Sequence, residues 1–94
     1  MVYFAGMVRA DGTVRSGTGF TVTRLGAGTY RIDFPADPRN LITTPTPWTP
    51  AAMARVTTFS RSALDTTSFV VVELRDLTGS LVDSEFTFFT VERS

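Results

Sequence analysis

Two stretches late in the chain constrain its fold more than any other part. Ser68-Phe-Val-Val-Val-Glu-Leu-Arg75 and Glu85-Phe-Thr-Phe-Phe-Thr-Val-Glu92 are rich in β-branched and aromatic residues and contain neither glycine nor proline. That is the composition of extended strands. Successive side chains of a strand point to opposite faces. On the first stretch Phe69 and Val71 therefore share one side, and Val70, Val72 and Leu74 the other. On the second, Phe86 and Phe88 fall on one side, Phe89 and Val91 on the other. A strand with one wet face alternates apolar and polar residues, so both faces of both stretches call for cover. The segment between them, Asp76-Leu-Thr-Gly-Ser-Leu-Val-Asp-Ser84, is polar and carries a glycine, which reads as the connection of a closing hairpin.

A chain of 94 residues forms one domain, 1–94, with a modest core, and can lay one covering layer over such a hairpin. The second layer is expected from another copy of the protein. On this reading Val70, Val72, Phe89 and Val91 are the oligomer-interface residues.

The remainder of the chain also reads as strands. Hydrophobic residues at 43%, eight of them Phe, exclude intrinsic disorder. Phe20 and Val22 alternate with Thr21 and Thr23; Tyr30, Ile32 and Phe34 alternate with Thr29, Arg31 and Asp33. Period-two patterning on both sides of Gly26-Ala-Gly28 predicts a β-hairpin with one buried face. Val2 to Arg9 predicts a first strand, and Gly6 within it favours an edge or an arm, because glycine weakens a strand interior. Ala10-Asp-Gly-Thr13 is a turn. Pro35 ends the hairpin, Leu41–Thr44 is a short strand, and Thr44-Pro-Thr-Pro-Trp-Thr-Pro50 is a proline-punctuated loop. Met53–Ser60 is a further strand, and Arg61–Thr67 a loop with room for one helical turn. The expected fold is all-β, an antiparallel sandwich of about seven strands, jelly-roll-like.

Chemistry is hard to place on this chain. It has no His, no Cys and no Lys, which removes the usual catalytic triads, thiol catalysis, Schiff bases and ordinary zinc or copper sites. Asp33, Asp37, Asp65, Asp76, Asp83 and Glu85 are the carboxylates from which a hydrolytic pair would have to come, and most of them lie in turns, where Asp caps local backbone. Asp76-Leu-Thr-Gly79 with Asp83 and Glu85 lacks the alternating acidic register of a calcium loop. The expectation is no enzyme, no catalytic residue, no metal and no cofactor. Nine basic residues, all Arg, balance nine acidic ones, so no basic footprint points to nucleic acid. No apolar run approaches the roughly 20 residues of a membrane span, and the first residues lack the pattern of a signal peptide. Neither a nucleic-acid partner nor membrane insertion is expected.

Several stretches resemble a known family. Ala10-Asp-Gly-Thr-Val14, Ser16-Gly-Thr-Gly-Phe-Thr-Val-Thr-Arg24 and Gly26-Ala-Gly-Thr-Tyr-Arg-Ile-Asp-Phe34 are similar to small β-domains of actinobacteria and their phages. Phe69-Val-Val-Val-Glu-Leu-Arg-Asp76, Gly79, Leu81-Val-Asp-Ser84 and Phe86-Thr-Phe88 resemble the closing hairpin of the same domains. These occur as end domains of tail-fibre-like and collagen-like proteins, or as short stand-alone proteins. Many carry Cys pairs in these strands; this chain has none. The resemblance implies a non-enzymatic structural module of a virion or surface, trimeric, whose partners are further copies of itself and other virion proteins. A chain opening on its own Met with no shaft before it favours a small subunit, such as a head-decoration protein or another capsid or tail accessory, on the virion surface. An extracellular or cell-surface location is the alternative. The competing function is a receptor- or carbohydrate-binding, lectin-like fibre tip that contacts host-surface glycan through Trp48, Tyr3 or Tyr30.

Overall fold

A computed structural model describes residues 3–34, 41–59 and 68–92. These form eight strands: β1 (Tyr3–Val8), β2 (Val14–Ser16), β3 (Thr21–Gly26), β4 (Thr29–Phe34), β5 (Leu41–Pro47), β6 (Met53–Phe59), β7 (Ser68–Arg75) and β8 (Phe86–Glu92). They make two four-stranded antiparallel sheets, sheet A in the order β2-β1-β8-β5 and sheet B in the order β3-β4-β7-β6. The fold is an all-β sandwich with one strand more than the sequence suggests. Three pairs join consecutive strands, β1 with β2, β3 with β4 and β6 with β7, and three are long-range, β1 with β8, β4 with β7 and β5 with β8, so the wiring departs from the jelly roll that the sequence suggests. The helical turn expected within 61–67 lies outside the described residues.

The hairpin predicted over 20–34 is present, with Thr21 opposite Asp33, Val22 opposite Ile32 and Thr23 opposite Arg31. Tyr30, Ile32 and Phe34 are buried while the residues between them are only partly covered, as the alternation requires. The closing hairpin is absent: β7 and β8 belong to different sheets. Each is a central strand, and the inner faces of the two oppose one another across the core. Val70, Val72 and Leu74 meet Phe86 and Phe88 in one cluster with Val8, Tyr30, Ile32 and Phe34. Burying each such side chain contributes about 1.5–3 kcal/mol. Phe4, Phe20, Phe34 and Phe88 form a group of rings, with Phe20 edge-on to Phe88 at 4.8 Å and Phe4 tilted against Phe34 at 5.0 Å. Thr90 is buried and its hydroxyl lies 2.9 Å from that of the partly buried Thr43 on β5.

Two further expectations are corrected. β1 is an interior strand between β2 and β8, despite Gly6. A Cβ at Gly6 would run into the Phe20 ring, so the glycine makes room for an aromatic crossing the strand. The proline-rich segment up to Pro47 is strand β5, not loop. It tolerates Pro45 and Pro47 because it is a sheet edge, where a missing N–H has no ladder to break.

Candidate functional site

The outer faces of the two sheets differ in chemistry, and the difference follows from the registers. On sheet B, Arg31 and Asp33 of β4 point outward beside Phe69, Val71 and Glu73 of β7 and Arg55 of β6. Arg31 binds Asp33 at 2.9 Å and lays its guanidinium 3.9 Å above the Phe69 ring. Glu73 accepts from Arg75 Nε at 2.7 Å and pairs with Arg55 at 3.3 Å; these hydrogen bonds and charges, Arg75 first, hold its carboxyl below the ordinary range. Phe69, on the second apolar side of β7, is thus covered by Arg31 of its own sheet.

The outer face of sheet A is built differently. Three rows cross β1, β8 and β5: Tyr3, Val91 and Ile42; Ala5, Phe89 and Thr44; Met7, Thr87 and Thr46. None is charged. Ile42 is 50% exposed and Phe89 48% exposed, and Met7 and Val91 are partly so. The first charged pair appears at one end of the face, where Arg15 meets Glu85 at 3.2 Å. Trp48 lies at the same end: its backbone N–H donates to Glu85 O at 3.1 Å, and its side chain is 49% exposed.

Four connections meet at that end and are tied by Tyr30, Asp83 and Ser84. The Tyr30 hydroxyl donates to Ala10 O at 2.6 Å, with Asp83 Oδ1 3.3 Å away. Asp83 accepts both arms of Arg24, at 3.0 and 2.8 Å, and the Gly28 N–H at 2.9 Å. Ser84 Oγ donates to Trp48 O at 2.6 Å. Arg24 and then the Gly28 amide hold the Asp83 carboxyl below the ordinary range, whereas burial pushes the Tyr30 phenol up. Asp76, in the same connection as Asp83, accepts from Thr78 Oγ1, Thr78 N and Ser80 N at 2.6–3.1 Å. The carboxylates weighed for a calcium loop are therefore committed to three separate networks: Asp76 to its own turn, Asp83 to Arg24, and Glu85 to Arg15.

The expected interface residues separate. Val70 and Val72 are corrected: they are core residues, 7% and 0% exposed, because β7 turns their parity inward. Phe89 and Val91 lie on the outer face of sheet A. The sequence reading missed Ile42 as their neighbour, since the partner of β8 on that side was not visible. Of the three aromatics considered for ligand contact, Tyr30 is corrected to a buried structural residue, 0% exposed. Trp48 stands half exposed in the loop cluster. Tyr3 is registered opposite Val91, and its side chain lies outside the described residues. No protein-family model, no curated protein and no solved structure matches the chain.

Proposed function

We propose that the protein is a non-enzymatic structural subunit of a phage virion, a head-decoration or other capsid or tail accessory, and that it assembles with copies of itself as a trimer through the outer face of sheet A. The observation that carries self-assembly is the set of three uncharged rows across β1, β8 and β5, beside an opposite face laced with its own ion pairs. Two of these rows carry the exposed Ile42 and Phe89, and neighbouring exposed apolar side chains mark association sites. The virion context rests on the family resemblance of the 10–34 and 69–88 stretches. A non-catalytic role is supported by a sequence without His, Cys or Lys and by carboxylates already held in structural networks.

Sedimentation of the protein beside Ile42→Asp and Phe89→Asp tests the assembly. The parent should run at three times the mass of either variant, with the far-ultraviolet circular dichroism of the variants unchanged. A parent no heavier than its variants would defeat it. For the virion context, genes of head or tail proteins are expected to flank this one; a setting with no virion genes defeats that half of the reading. A fibre-tip module binding receptor or glycan is the second reading, favoured by the half-exposed Trp48. A glycan array in which Trp48→Ala abolishes specific binding would select it.

A further inference from the structure

A sandwich of two open sheets has four edges, and an edge strand is a template for another strand unless something blunts it. Three edges of this protein are blunted. β2 is three residues long. β5 carries Pro45 and Pro47. β6 has a register shift between Val56 and Thr58, in the middle of its pairing with β7. The fourth edge, β3, has its register shift only at its far end, between Arg24 and Gly26, and pairs regularly with β4 from Thr21 to Arg24; it contains no proline and is exposed along most of its length. Among the described residues no strand lies on its other side. The same margin leaves Phe20 and Val22 only partly buried against the core, so a strand added here would complete the core as well as the ladder.

We propose that β3 is a strand-pairing edge whose partner is β3 of a second copy, joining two sheets B into one continuous eight-stranded sheet. The surface is separate from the outer face of sheet A, and pairing there is independent of the assembly proposed for that face. Self-complementarity selects the partner. A two-fold axis perpendicular to the sheet keeps inner face with inner face, and Val22 is an inner residue opposite Ile32, while Thr21 and Thr23 are outer residues opposite Asp33 and Arg31. An antiparallel pair centred on Val22 sets Val22 against Val22, Thr21 against Thr23 on both sides, and Phe20 against Arg24. Thr–Thr cross-strand pairs are favourable, and like charges directly opposed are not. Arg24 is the one charged residue from Phe20 to Leu25, and this register opposes it to an aromatic ring. It is also held by Asp83 of its own chain.

The test isolates this edge in the Ile42→Asp/Phe89→Asp background, which disables the face of sheet A. That variant is expected to sediment as a dimer. Adding Thr21→Lys/Thr23→Lys places like charges in both cross-strand pairs and should halve the mass. Adding Thr21→Lys/Thr23→Glu instead places opposite charges in those pairs, and also opposite Asp33 and Arg31 within the chain, so the dimer should persist. The chain has no cysteine, so Val22→Cys should form an intermolecular disulfide on mild oxidation, since opposed Cβ atoms in such a pair stand about 4.5–5.5 Å apart. Thr21→Cys should not, because Thr21 faces Thr23. A monomeric background variant, a dimer indifferent to the two lysines, or a Val22→Cys protein that stays reduced while dimeric would each overturn the proposal.

Discussion

Asp83 sits in a connection whose composition says only that it is polar, yet its carboxylate gathers Arg24 from β3, the Gly28 amide from the β3–β4 turn and the neighbourhood of the Tyr30 hydroxyl. None of this was legible, because it depends on which loops meet at one end of the sandwich. Tyr30 read as an aromatic free for a ligand; its place on the buried side of β4 was legible, but its hydroxyl partner Ala10, twenty residues away, was not. The depressed pKa of Asp83 fixes the sign of its effect. A carboxyl held below its unfolded value of about 3.9 contributes stability above that pH and loses it as pH falls through the folded value. The urea midpoint should therefore fall as pH drops below about 4, and fall less in Asp83→Asn. Asp11, Asp76 and Glu73, lowered in the same direction, keep a residual slope. Equal slopes in both proteins would remove Asp83 from this role. Gly28 is a sharper case. It has φ +62° and a Cβ there would lie 2.6 Å from Leu74 O and 2.7 Å from Val82 N. Gly28→Ala should destabilise by about 2–4 kcal/mol in denaturant titration. Gly26→Ala, where a Cβ meets nothing within 4 Å, should change stability by under about 1 kcal/mol.

At the scale of elements, alternation located the strands well and their neighbours poorly. The β3–β4 hairpin was legible because its two halves are adjacent and joined by a short glycine turn. The strands β7 and β8 were also located, but pairing them together was wrong. The connection from Asp76 to Glu85 is long enough to change sheets, and period-two patterning does not report which sheet a strand joins. The consequence is a reversal for Val72. It was expected at an interface, and it lies in the core with 0% exposure. Val72→Asp should therefore lower unfolding stability by about 3–5 kcal/mol, the penalty of a buried unpaired charge. Phe89→Asp, on an outer face, should leave the unfolding midpoint of the isolated monomer nearly unchanged. If Val72→Asp proved as stable as the parent, the inward parity of β7 would be wrong. Gly6 and Pro45 were read by their general tendencies, and in both cases tertiary position overrode them: a ring fills the space above Gly6, and β5 is an edge.

For the molecule as a whole, alternation and the spacing of turns were enough to give an all-β sandwich, while the asymmetry between its faces emerges only from strand order. One outer face is laced with Arg–carboxylate pairs and the other is uncharged across three rows, although the chain carries no net charge. The pairing of the first and last strands has a mechanical meaning. β1 and β8 are antiparallel neighbours, with Tyr3 beside Val91, so both ends of the domain leave from the same end of one ladder. Tension applied through those ends would open β1 from β8 one rung at a time, rather than shearing all rungs together. Single-molecule pulling from the two ends should yield at low force, and pulling between Gly12 and Val91, which loads the ladder lengthwise, should require more. A domain wired in this way is suited to being gripped by its faces and edges, and poorly suited to bearing a load along its chain.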